Sequence, residues 1–343
     1  MSQDQVLITP YAGLTPEVVL AAVESLGLLA DGRLMALNSY ENRVYRVGLE
    51  ADVGPSHGLA AGTPVVAKFY RHGRWSDAQI REEHDFALEL ADAELPVAAP
   101  LQFAGETLHW HAGFRFTLFE CRAGSGAELD QPGHRELLGR TLARMHAVGG
   151  RRGFLRRGGI ADWQDGARAR DAILRGRLVP APLDESYAAV SAQLVDAVAR
   201  CRENAGQLRQ LRIHGDCHGG NILWHAQGPL FVDFDDCLTG PAVQDLWMFC
   251  AGDPQLIQRE WTEVLEGYEQ FAHFDFAETA LVEALRAMRM LNHAAWIAGR
   301  WSDPAFPRAF PWFGEPRYWE RHIDELREQL DALEDPPLLR MTR

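Results

Sequence analysis

The sequence predicts an α+β protein of two lobes, a small antiparallel β lobe carrying one helix followed by a larger, mainly helical lobe. Three observations predict it. A chain of 343 residues, 47% of them hydrophobic, buries a sizeable core and exceeds one typical domain. Between about 30 and 119, short apolar and β-branched runs alternate with Gly- and Pro-containing breaks, with a single helical stretch among them. After Gly124 the apolar spacing becomes helical and remains mostly so. The change falls near 120–126. The expected organisation is therefore an N-terminal lobe at 1–119, a hinge at 120–126 and a helical lobe at 127–343.

The first element is a helix over 15–29, with Thr15 as N-cap and Pro16 at the first helical position, where a missing N–H costs nothing. Strands follow at 43–47 and 63–70, joined across the Gly/Pro/Ala-rich segment 52–62, which reads as a hairpin loop. A helix over 75–90 and a strand pair at 106–111 and 114–119 complete the small lobe. In the second half, helices are expected over 135–148, 183–209, 260–271, 277–300 and 319–333. Short strands interrupt them at 211–214, 222–224 and 230–234.

Composition excludes several classes of function. The formal charge is −14, from 34 basic and 48 acidic residues. Such a surface repels phosphate backbones, so nucleic acid is not an expected partner. The five cysteines, Cys121, Cys201, Cys217, Cys237 and Cys250, are scattered, odd in number and without a CxxC pair. That argues for reduced thiols rather than a disulfide framework. The N-terminus has no signal-peptide pattern, and no apolar run approaches the ~20 residues that cross a bilayer. A cytoplasmic monomer without membrane attachment is expected.

The chemistry concentrates in Ile213-His214-Gly215-Asp216-Cys217-His218-Gly219-Gly220-Asn221 and in Val232-Asp233-Phe234-Asp235. Phosphoryl transfer requires a carboxylate near the acceptor hydroxyl and oxygen ligands for Mg²⁺ on the nucleotide phosphates. Asp216 suits the first role, and Asn221 and Asp233 suit the second. Either Asp216 or Asn221 alone reads as a turn residue. The whole string, between two short strands and followed by a strand that ends in Asp233, reads as a site. His214, Cys217 and His218 form His-x-x-Cys-His, but a structural zinc site takes four ligands and no companion pair lies nearby.

These motifs carry a resemblance. His214-Gly215-Asp216-x-x-x-x-Asn221 resembles the catalytic loop of aminoglycoside phosphotransferase-like and choline-kinase-like enzymes, a variant of the protein-kinase signature. Val232-Asp233-Phe234-Asp235 looks like their metal-binding strand. Asp245, in 240–247, matches the aspartate that buttresses the loop in that superfamily. More narrowly, Leu37-Asn38-Ser39-Tyr40-Glu41-Asn42-Arg43-Val44-Tyr45, Lys68-Phe69-Tyr70-Arg71 and the stretch 214–224 together resemble the bacterial stress response kinase A family, over about 8–335.

The resemblance implies a bilobal protein-kinase-like fold and an ATP- and Mg²⁺-dependent kinase acting on Ser/Thr hydroxyls of proteins, itself included, in a stress response. A small-molecule hydroxyl kinase, of homoserine, choline, sugar or aminoglycoside type, is the alternative. It further implies that Lys68 contacts phosphates and pairs with a helix Glu. Glu83 shares a face with Phe86, Ala87 and Leu90 and is the expected partner; Glu82 is the fallback. Ser39 is implied as an ATP contact in a phosphate-covering loop that lacks the usual Gly-rich run. The segment Phe119-Glu120-Cys121 is implied to read the adenine edge through its backbone. Arg289, His293 and Trp296 share one helix face. That face is read either as lining the acceptor cleft or as partly solvated with a buried Trp.

Overall fold

The computed structural model describes residues 10–50, 59–160 and 166–335. The hairpin loop expected at 52–62 falls largely outside the described residues. Two compact units are present. One runs to Ser125 and takes in Leu230–Asp235; the other holds Gly126–Pro229 and Asp236 onward.

In the first unit, helix α1 (Pro16–Glu24) begins as its sequence dictates. The Thr15 hydroxyl accepts the Val18 N–H at 3.4 Å and Pro16 occupies the first turn. The helix ends five residues short of the expected 29 because the chain turns into β1 (Ala30–Leu37). With β2 (Arg43–Leu49), β3 (Val65–Phe69), β4 (His109–His111) and β5 (Phe114–Glu120) it forms an antiparallel sheet of order β1-β2-β3-β5-β4. β3 is central, with Lys68 opposite Val44 on one side and Thr117 on the other. The Cys121 N–H extends the β3–β5 pairing by donating to Pro64 O at 3.1 Å. Val19 and Val23 of α1 pack on Val47, Ala67, Phe116 and Leu118 to make this unit's core.

Helix α2 (Asp77–Asp92) starts in a capping box. The Ser76 hydroxyl accepts the Gln79 N–H, and the Gln79 side chain accepts the Ser76 N–H at 3.0 Å. Its buried face holds Ile80, Glu83, His84, Phe86, Ala87 and Leu90. The chain returns to this unit at Leu230–Asp235. There Phe231 exchanges backbone hydrogen bonds with Pro96 and Ala98 at 2.8 Å each. Phe234 meets Phe86 of α2 edge to face, 6.0 Å between ring centroids.

The second unit is mainly helical: α3 (His134–Gly149), α4 (Gly166–Gly176), α5 (Asp184–Ala205), α6 (Pro254–Tyr268), α7 (Val282–Ala298) and α8 (Pro316–Glu334). Residues of α4, α5, α7 and α8, among them Ile173, Leu194, Leu291, Ile297 and Leu326, form its core with Phe306, Phe313 and Trp319. α3 and α6 cross closely, and a Cβ at Gly139 would overlap Val264 O. Several of these helices differ from expectation. α4 is additional, and α6 begins at Pro254 rather than 260, because the Asp253 side chain caps it by accepting the Gln255 and Leu256 N–H groups at 2.9 Å. α5 stops at Ala205, where Gly206 takes a positive φ. Among the described residues no helix is long and apolar enough to cross a membrane.

Candidate active site

In the first unit, Lys68 is buried and gathers three carboxylates. Its Nζ lies 2.9 Å from Asp233 Oδ1, 3.3 Å from Asp235 Oδ1 and 3.5 Å from Glu83 Oε1. The structure thus selects Glu83 over Glu82: Glu83 turns inward beside Phe86 and Ala87, and Glu82 stays nearer solvent. Burial by itself would lower the Lys68 pKa. The charges of Asp233, Asp235 and Glu83 outweigh that and hold it well above its usual value, so the ammonium is fully charged.

The three carboxylates differ in access. The Asp233 side chain is 49% exposed, and those of Glu83 and Asp235 are 3% each. Asp233 also adopts a left-handed backbone conformation (φ 59°), uncommon for a residue with a Cβ but tolerated by Asp. An exposed, oxygen-only donor beside a lysine fits a hard cation such as Mg²⁺.

Asp235, Arg74 and Asn42, none of them expected as site residues, complete this set. Asp235 Oδ2 accepts from Arg74 at 2.7 Å and from the Asn42 amide at 3.2 Å. Asn42 in turn accepts the Arg71 N–H at 3.1 Å, and Arg71 pairs with Glu41 at 3.3 Å. The loop between β1 and β2 is therefore tied to the 230–235 segment through buried side chains. Ser39 stands half-buried in that loop. The signal available for Asp235 was its place in the motif Val232-Asp233-Phe234-Asp235, two residues from Asp233.

In the second unit, strand β6 (Leu211–Ile213) pairs antiparallel with β9 (Leu238–Gly240); along the chain between them come β7 (Ile222–His225) and β8 (Gly228–Phe231). β6 delivers the chain into the loop that carries Asp216. Gly215 is required there: φ is +85°, and a Cβ would overlap Asp236 O. Asp245, fully buried, accepts the His214 N–H with Oδ2 and the Gly215 N–H with Oδ1, both at 2.8 Å. Its Oδ2 also lies 3.2 Å from His146 Nε2, and Gln244 donates to Gly215 O at 2.8 Å.

Asp216 is held by three partners. Arg289 of α7 meets Oδ1 at 2.5 Å, and His218 Nε2 meets Oδ2 at 3.4 Å. Asn221 Nδ2 lies 3.4 Å from Oδ2 and donates to the Asp216 carbonyl at 2.9 Å. His218 Nδ1 accepts the Gly220 N–H at 3.0 Å, so Nε2 carries the proton that faces Asp216. Partial burial would raise the Asp216 pKa. The His218 hydrogen bond and the Arg289 charge overcome it and hold the carboxyl well below its usual range. With its amide nitrogen turned to Asp216, Asn221 keeps Oδ1 as an oxygen donor, again suited to magnesium. Cys217 is fully buried, and burial pushes its thiol well up, which suits a packing role.

The sequence matches the phosphotransferase enzyme family over residues 34–282. It is similar to the serine/threonine protein kinase RdoA of Salmonella typhimurium strain LT2, 42% identical over 328 residues, 96% of each chain. It is equally similar to stress response kinase A of Escherichia coli strain K12, 42% over 329 residues and 96% of each chain. Among solved structures it resembles an amicoumacin kinase in complex with AMP-PNP, Ca²⁺ and Ami, with a TM-score of 0.68 at 18% identity, covering 94% of this chain and 95% of that one. A choline kinase from Cryptosporidium parvum Iowa II aligns with a TM-score of 0.60 at 12% identity, covering 95% and 98%. These two likenesses show the protein-kinase-like fold.

Proposed function

The chain belongs to the phosphotransferase enzyme family and, within it, to the stress response kinase A group, and from that premise we propose that it transfers the γ-phosphate of ATP, with Mg²⁺, to Ser/Thr hydroxyls of proteins. The observation that carries the protein acceptor is the 42% identity, over 96% of both chains, to a protein named a serine/threonine protein kinase.

In this reading Asp216 orients the acceptor hydroxyl and takes its proton. The hydroxyl oxygen forms a bond to the γ-phosphorus. The bond from that phosphorus to the β–γ bridging oxygen breaks, and ADP leaves with the electron pair. A carboxylate held well below its usual pKa is a weak base, so positioning is its larger contribution, as a loose phosphoryl-transfer transition state asks. Asn221 and Asp233 would each offer magnesium an oxygen ligand, and Lys68, aligned by Glu83, would bind phosphate oxygens; Ser39 would contact the nucleotide. A bound Mg²⁺ supplies neutralisation of the phosphate charge. Asp245 holds the loop still, which confines Asp216 to one geometry.

The five unbonded thiols suit a reducing, cytoplasmic setting. We also assign the protein a monomeric state and a role in stress response. The test is a phosphorylation screen that sets protein acceptors, this protein included, against a panel of small hydroxyl compounds. Labelled protein is the expected result; labelling of small alcohols alone overturns the protein acceptor.

A further inference from the structure

We propose that Arg289 selects the acceptor: its guanidinium recognises a carboxylate or phosphate group beside the hydroxyl to be phosphorylated, and it leaves Asp216 in doing so. This rests on Asp216 being the residue that receives that hydroxyl.

The geometry argues for it in three steps. First, both oxygens of Asp216 have partners. Arg289 meets Oδ1, and His218 with Asn221 lie at Oδ2. An incoming hydroxyl that takes Oδ1 competes with Arg289 for it. His218 and Asn221 are each anchored a second time, by Gly220 N–H and by the Asp216 carbonyl. Among the described residues the Arg289 guanidinium meets Asp216 alone, and it is 39% exposed. It is the partner that can move, and it remains within reach of a ligand.

Second, moving it separates a partly buried ion pair, which is costly unless each charge finds a new partner. An acceptor with an anion next to its hydroxyl provides both, the hydroxyl to Asp216 and the anion to Arg289 in a bidentate pair. A neutral acceptor provides one, and a cationic acceptor adds repulsion.

Third, the surrounding side chains do not suit a cation. Arg286, Arg289 and His293 lie along one side of α7. The carboxylate at its start, Glu283, is already used by Arg286 at 3.3 Å and by the Gln329 amide at 2.8 Å. The aromatic faces that would receive a quaternary ammonium carry the protein's own cations, with Arg286 5.1 Å from the Trp247 ring centre and Arg300 5.8 Å from that of Trp296.

The test compares kcat/KM for three peptides that differ only in the residue beside one serine, Glu, Gln or Lys. A parallel series of glycerate, glycerol and choline is run on the same enzyme. Wild type is expected to favour the anionic member over the neutral one by about tenfold, the worth of one charge-assisted pair, with the cationic member last. Arg289→Glu should invert the order, and Arg289→Lys should restore it in weakened form, a pattern that a purely structural role does not produce. Equal rates across a series, or an order unchanged in Arg289→Glu, overturns the proposal. Labelling confined to the small compounds overturns the protein acceptor but leaves the charge order to decide on Arg289. Labelled peptides without charge preference keep the protein acceptor and remove the role of Arg289.

Discussion

Asp245 reaches the loop of Asp216 from 30 residues away, and its two oxygens accept the backbone N–H groups of His214 and Gly215 at 2.8 Å each. A carboxylate can do this because both its oxygens accept; an amide cannot. Asp245→Asn sets an NH₂ group against one of those donors. It should lose about 1–3 kcal/mol of stability, the cost of a buried unsatisfied donor. Turnover should fall about a hundredfold through misplacement of Asp216. Melting and kcat, measured together, check this; a wild-type kcat would mean the loop holds its shape without the buttress.

Lys68 stands among Glu83, Asp233 and Asp235, two of them buried. Lys68→Met leaves those carboxylates short of a cation. It should cost about 3 kcal/mol in denaturant unfolding, as breaking a buried pair does, and nucleotide binding should weaken with it. Unchanged stability would mean that Arg74, 2.7 Å from Asp235, compensates alone.

Asp233 is the exposed member of that set, so its loss should act on ligand binding more than on folding. Asp233→Ala should weaken Mg²⁺-dependent nucleotide binding at least about tenfold, since Mg²⁺ binds through few carboxylates. Calorimetric titration of ADP with and without Mg²⁺ reads this directly. A magnesium dependence equal to wild type would remove Asp233 from the metal site.

Glu278 is buried and accepts the Val243 N–H at 2.8 Å, two residues before Asp245. Burial pushes its pKa up to about 7 from the ordinary 4.5. The folded protein therefore holds the proton more tightly than the unfolded chain. The associated stability is full below about pH 4.5 and is lost as pH rises towards 7. Glu278→Gln should remove that dependence. It should be more stable than wild type at pH 8, by on the order of 2 kcal/mol, and equal to it near pH 4. Parallel melting curves at both pH values would contradict the shift.

Much of this was legible in the sequence. The pairing of Lys68 with a helix Glu came from the family resemblance; helix periodicity then favoured Glu83, on the apolar face, over Glu82, and the structure pairs Lys68 with Glu83. The Thr15 cap was legible from local residues alone. The tertiary part was not. Arg289 and Asp216 are 73 residues apart, and nothing local to either announces the ion pair. Asn42, 193 residues from Asp235, reads as an ordinary loop residue until the strands assemble. Helix α4 is short and arginine-rich with a narrow apolar stripe, and α6 begins with a cap before its apolar pattern does.

The most direct measurement is γ-phosphate transfer by Asp216→Ala beside wild type, at saturating Mg-ATP, with nucleotide affinity determined for both. The expected result is a nucleotide affinity close to wild type and a rate reduced by about 10²–10⁴, the contribution of a positioned base. Transfer at the wild-type rate with intact nucleotide binding would contradict the assignment of Asp216 as the residue that receives the acceptor hydroxyl.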